Sequence, residues 1–132
     1  VFLPCWNSTQ EIIDEMAKRG LGRTLDDFHK LWGEFHVKQL QILSDLKNKT
    51  DTAILWTSSL TEPDIIGKHL DKDKFIIQTW VVKSSTLPQE LLQRGYKLII
   101  STKDAWYLDH GFWGNTKFHS WRDVYDNKLP RM

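Results

Sequence analysis

Apolar positions along this chain change rhythm near residue 50. Before it they recur at three- and four-residue spacing; after it they gather into short runs, Ala53-Ile-Leu-Trp56, Phe75-Ile-Ile-Gln-Thr-Trp80 and Leu98-Ile-Ile100. The first rhythm predicts helices and the second predicts strands. Ser8-Thr-Gln-Glu11 has the spacing of a capping box, with Ile12, Ile13 and Met16 behind it. Lys18, Arg19 and Gly20 suit a last turn and a stop, so a helix is expected over roughly 9–19. A second box, Thr24-Leu-Asp-Asp27, opens a longer helix. Its Leu25, Phe28, Trp32, Phe35, Ile42, Leu43 and Leu46 lie on or near one face and read as core.

The later runs predict strands over Ala53–Thr57, Phe75–Val81 and Lys97–Ser101. The first is almost continuously apolar, as a strand buried on both faces would be. Pro63 leads into a helical stretch near Ile65–His69, and the charged turn Asp71–Lys74 feeds the second strand. A third box, Thr86-Leu-Pro-Gln89, opens a helix that runs to Arg94 and stops at Gly95. A loop is expected through Tyr107 to Gly114, then a helical turn at Trp121–Tyr125.

The order is therefore strand, loop, helix, repeated. Trp56 to Trp80 is 24 residues and Trp80 to Trp106 is 26, which fits one βα unit per step. A barrel of eight such units needs about 250 residues, so residues 1–132 would be about half of a (β/α)8 TIM barrel. An open doubly wound sheet fits the same alternation.

In either fold the carboxyl ends of parallel strands share one rim, where ligands bind. Trp56 and Trp80 end two of the runs there, and their rings could face each other across it; the plain alternative is that both fill the core. Trp106, Tyr107 and Asp109 follow the third run. In Tyr107-Leu-Asp109 strand alternation puts the phenol and the carboxylate on one side. Flat rings beside a donor and an acceptor suit a sugar bearing hydroxyls and amides, although a tyrosine can merely satisfy a carbonyl.

Composition narrows this further. Lys+Arg 18 against Asp+Glu 17 leaves no electrostatic footprint for nucleic acid or an anionic membrane. Trp 7, as many as Gly 7, is more indole than a core alone requires. His29 and His36 are seven apart without a His-Glu-x-x-His pattern and read as a packed or solvated face; no metal and no cofactor is expected. Cys5, without a second cysteine here, is either a buried free thiol or partnered outside this sequence. Asn7-Ser-Thr9 and Asn48-Lys-Thr50 are N-glycosylation triplets and point to the secretory pathway, where the mature protein could be secreted, anchored or lysosomal. A first residue Val1 and an end at Leu129-Pro-Arg-Met132 suggest a piece of a longer protein.

Trp56-Thr-Ser-Ser-Leu-Thr61, Ile76-Ile-Gln-Thr-Trp-Val81 and Ala105-Trp-Tyr-Leu-Asp109 resemble the family 20 β-N-acetylhexosaminidases, and Val1-Phe-Leu-Pro-Cys-Trp-Asn-Ser8 resembles the segment after that family's Gly-Gly-Asp-Glu motif. The resemblance spans essentially the whole chain. It implies a fragment of a catalytic (β/α)8 barrel, from just after strand four through the loop after strand seven. It further implies hydrolysis of terminal β-linked N-acetylglucosamine or N-acetylgalactosamine, with the sugar's own acetamido oxygen attacking the anomeric carbon. The catalytic Asp-Glu pair would stand immediately before Val1. By position, Trp56 and Trp80 resemble walls of the acetamido pocket, Tyr107 the donor to the acetamido oxygen, and Asp109 an acceptor for sugar hydroxyls. Cys5 resembles a cysteine with its disulfide partner upstream. The stretch Asp109–Trp121 looks most like the insect fused-lobes type, which trims N-glycans; Trp113 departs from the chitin-degrading type and is a candidate aglycone contact. Expected partners are glycans ending in N-acetylhexosamine and, in the full-length enzyme, a second copy in a homodimer. A chitooligosaccharide-degrading enzyme and a non-catalytic carbohydrate-binding relative are the alternatives.

Overall fold

The computed structural model describes residues 3–49, 51–107 and 118–128. Three helices come first, α1 (Leu3–Trp6), α2 (Gln10–Lys18) and α3 (Leu25–Lys47). Then β1 (Ala53–Trp56), α4 (Ile66–His69), β2 (Phe75–Thr79), α5 (Leu87–Gln93) and β3 (Lys97–Ile100) alternate, and α6 (Lys103–Trp106) and α7 (Trp121–Tyr125) follow. The strands form one parallel sheet in the order β1-β2-β3, with Trp56 opposite Gln78 and Thr79 opposite Ile100. The strand–helix alternation expected from the sequence is present, with parallel pairing between consecutive strands.

Helices cover one face of the sheet. Phe75 and Ile77 of β2 are buried there with Trp32, Leu40, Leu60, Ile66, Leu70, Leu91 and Tyr96, while Ala53, Leu55 and Leu98 pack against the cluster. Alternation sends Ile54, Trp56 and Ile99 the other way, and they are 54%, 52% and 38% exposed. β1 is thus covered on one face only, contrary to the expectation drawn from its continuous apolar run.

Helix α3 begins as predicted. The Thr24 hydroxyl accepts from the Asp27 amide while the Asp27 carboxylate accepts from the Thr24 amide, satisfying two first-turn donors. Its apolar stripe divides, however. Phe28, Trp32 and Leu40 are buried, whereas Leu25, Phe35, Ile42, Leu43 and Leu46 are exposed. The 23 residues of this helix reach roughly 35 Å, far beyond strands of four or five residues, so much of the stripe has no sheet beneath it. His29 is buried with Nε2 3.2 Å from the Ser59 hydroxyl, and His36 packs on Trp32.

Two predicted capping boxes do not form. The hydroxyls of Ser8 and Thr9 both donate backwards to the Cys5 carbonyl, closing the unpredicted helix α1 instead of opening α2. The Thr86 hydroxyl donates to the Glu90 side chain, and its helical backbone is unlike the extended form a cap adopts. Gly95, at φ 86°, does end α5 as expected. Cys5 is exposed, not the buried thiol that its residue type suggested.

Candidate functional site

The carboxyl rim of the sheet is assembled from hydrogen bonds that outlast the strands. After β1, the Thr57 amide donates to the Gln78 carbonyl at 3.0 Å. The Trp80 amide donates in turn to the Thr57 hydroxyl at 2.9 Å, so the backbone that carries the second indole is tied to the residue after the first. Just below, the Gln78 side-chain amide donates to the Ser101 hydroxyl at 3.0 Å. Beyond β3, the buried Thr102 and Ala105 seat the single turn of α6 and leave Trp106 51% exposed. A loop was expected here. The Ala105 and Trp106 amides bond the Thr102 carbonyl and make it a helical turn.

Tyr107 leaves α6 in extended backbone, and its ring meets that of Trp80, centroid to centroid 6.1 Å at 55°. The Lys103 ammonium lies 4.8 Å from the centre of the Trp80 ring, within cation–π range. Trp56 stands level with Gln78, so it sits deeper along the rim than Trp80. Both indoles are outside the buried cluster, at 52% and 44% exposure. Neither fills the core on the helix side. The structure therefore joins Trp80 to Tyr107 in ring contact and sets Trp56 on the neighbouring strand of the same rim.

Asp109 and Trp113 lie outside the described residues. Asn7 is exposed and accepts from the Arg23 guanidinium through both its side-chain and backbone oxygens, each at 2.7 Å. Asn48 is exposed and ends α3 in left-handed backbone, φ 52°. Sequence reasoning missed Thr57, Gln78, Ser101, Lys103 and Asp104. Only their places beside the aromatic residues hinted at them.

A cavity of about 1000 Å³ opens at the other end of the sheet, lined among others by Asp51, Lys74, Phe75 and Tyr96. These residues sit at the amino ends of the strands, where parallel α/β folds place stability rather than chemistry. The aromatic rim is the better candidate. It offers the indoles of Trp56 and Trp80, the Tyr107 phenol, the Gln78 amide and the Lys103 ammonium from successive strand–loop segments.

Residues 1–130 match glycosyl hydrolase family 20, catalytic domain, and the chain belongs to this family. It is 41% identical over 108 residues to a chitooligosaccharidolytic beta-N-acetylglucosaminidase of Bombyx mori, covering 82% of this chain and 18% of that protein. A protein of the same description from Ostrinia furnacalis is 37% identical over 131 residues, 93% of this chain and 22% of the relative. The probable beta-hexosaminidase fdl of Drosophila melanogaster is 30% identical over 112 residues, 77% and 16% respectively. The chain thus spans about a fifth of the length of these relatives.

Proposed function

We propose that the protein of which this chain is part is a β-N-acetylhexosaminidase, with β1, β2 and β3 as strands five to seven of a (β/α)8 barrel. The observation that carries the reading is the Trp80–Tyr107 ring contact at the carboxyl rim with Trp56 on the adjacent strand. Trp56 and Trp80 wall an acetamido pocket and exclude water from it. The acetamido oxygen bonds to the anomeric carbon as the glycosidic C–O bond breaks, and a glutamic acid from outside this segment gives its proton to the leaving oxygen. The Tyr107 phenol donates to the acetamido oxygen and holds it in line with the anomeric carbon for attack. Water then opens the resulting oxazolinium ring and returns the proton. Asp109 accepts from sugar hydroxyls, and Trp113 borders the aglycone. The half-exposed face at Ile54 and Ile99 supports the barrel assignment, because a barrel interior is filled by side chains from all its strands.

Two substrate classes fit. N-glycan termini follow from the fused-lobes likeness of the loop after Asp109. Chitooligosaccharides are favoured by the higher identity to the two relatives described as chitooligosaccharidolytic. Rates of the full-length enzyme on a chitotriose and on an N-glycan with terminal N-acetylglucosamine decide between them.

The primary test is turnover of p-nitrophenyl N-acetyl-β-glucosaminide by the full-length enzyme and its Tyr107→Phe variant. Loss of about 10²-fold in kcat with unchanged thermal unfolding is expected, the order for a misplaced attacking group. Full activity in the variant removes Tyr107 from the mechanism. Tight glycan binding without turnover by the unaltered enzyme would make it a carbohydrate-binding relative. Asn7 and Asn48 are proposed glycan carriers in a secretory protein; a mass loss on treatment with an N-glycan amidase, absent in Asn7→Gln and Asn48→Gln together, tests this.

A further inference from the structure

Three bonds join the chain after β3 to the last residue of β2 and the loop beyond it. The Ser101 amide donates to the Thr79 carbonyl at 3.2 Å, and the Lys103 amide donates to the Val81 carbonyl at 2.9 Å, so the parallel ladder runs on for two residues. At the next step a side chain takes over from backbone. Oδ1 of Asp104 accepts from the Lys83 amide at 2.7 Å, a charge-assisted bond across 21 residues of sequence. The Asp104 backbone, φ −91° and ψ 16°, has left the helical region inside α6. The carboxylate makes no cap for its own helix, whose N-cap Thr102 also lacks a side-chain bond. The neighbouring Lys103 places its ammonium over the Trp80 ring. Trp80 precedes this clamp on one loop and Tyr107 follows it on the other.

We propose that Asp104 and Lys103 are positioning residues that clamp these two loops together and fix the Trp80–Tyr107 separation. What that separation serves rests on the acetamido-pocket reading above. Asp104 sets the distance between the loops. Lys103 restrains the rotation of the indole. Neither touches substrate in this scheme; both act through the pair of rings. Displacement of a catalytic donor by about 1 Å costs on the order of 10²-fold in rate, so a clamp of this kind acts on kcat more than on binding. Asparagine retains an acceptor oxygen at position 104 and alanine does not.

The test uses the full-length enzyme with p-nitrophenyl N-acetyl-β-glucosaminide, and reads kcat and KM separately. Asp104→Ala is expected to lower kcat about 10²-fold with a smaller change in KM, and Asp104→Asn to recover most of the loss. Lys103→Gln is expected to lower kcat several-fold with a smaller change in KM, on the order expected for one cation–π contact. The second readout is amide hydrogen exchange over residues 80–86 and 102–107. It should speed up in Asp104→Ala and stay unchanged over α2. Unaltered kcat in Asp104→Ala, or equal losses in the alanine and asparagine variants, overturns the proposal. A wild-type enzyme that leaves the glycoside intact would count against the hexosaminidase reading alone. The clamp is then decided by exchange, where identical rates in wild type and Asp104→Ala overturn it.

Discussion

The hydroxyl of Tyr96 donates a 2.6 Å hydrogen bond to the carbonyl of Leu70, both within the buried core. The residue before β3 is thereby tied to the turn that feeds β2. Burial, aided by the nearby Asp71, lifts the phenol above its ordinary 10.0. Tyr96→Phe leaves the carbonyl without this donor and should cost about 1–2 kcal/mol in denaturant unfolding. A raised folded value means the bond's contribution is complete below pH 10 and is lost as pH rises through the folded value. The parent should therefore lose stability more steeply than Tyr96→Phe in alkaline melts.

Gly33 of α3 faces His69 of α4, whereas Gly67 of α4 faces open space. A Cβ on Gly33 would lie 2.7 Å from the His69 Cβ, whereas one on Gly67 meets nothing within 4 Å. Alanine gains up to about 1 kcal/mol over glycine in either helix. At Gly33 the overlap costs roughly 1–3 kcal/mol and outweighs that gain. Gly33→Ala should melt lower than the parent and Gly67→Ala higher. Equal shifts in the same direction would show that the two helices are not in close contact.

Acid should loosen the same region. Burial holds both His36 and His69 below the ordinary imidazole value of 6.5. Around His69, His29 and Lys68 also disfavour the charged form, while Asp26 and Glu34 favour it. The fold disfavours the charged form of both rings, so the unfolded chain binds more protons below its own value. Their contribution is complete above pH 6.5 and drains away as pH falls through the folded values. The carboxylates held low, Asp27, Asp51 and Asp123, start from 3.8 and titrate outside this window. Between pH 7 and 5 the Tm of a His36→Gln, His69→Gln double variant should fall less than that of the parent.

The strand–helix alternation could be read from periodicity because each run is bounded by its own turn residues. Gly20, Gly95 and the Thr24 box act within a few residues of themselves, and all three took their expected roles. Failures arose where a residue had a competing partner. Ser8 and Thr9 found a carbonyl behind them, and Thr86 found Glu90. The outward half of the α3 stripe could not be foreseen either, since periodicity marks a face and says nothing of what lies against it. Trp56, Trp80 and Tyr107 were visible as candidates because aromatic residues at strand ends stand out by type. Thr57 and Asp104 were not, because their partners are Trp80 and Lys83 on the preceding or following loop.

Trp56 and Trp80 offer a contrast in the site itself. Trp80 is braced by Thr57, Lys103 and Tyr107, and Trp56 sits deeper beside Gln78. In the full-length protein Thr57→Val should leave Trp56 in place and release the Trp80 amide. A several-fold loss of kcat/KM is expected, with Tm lower by a few degrees for about 1 kcal/mol lost.

The rungs that continue past Thr79 and Ile100 make tolerance to length change unequal at the two ends of the sheet. An extra residue at Lys72 or Asp73 can bulge outward before the first rung, where the Lys74 carbonyl accepts from the Ala53 amide. The same insertion between Thr79 and Lys83 would swing Trp80 to the opposite side and strand Asp104 without its amide. Loop grafting in this protein therefore has more room below the strands than above them.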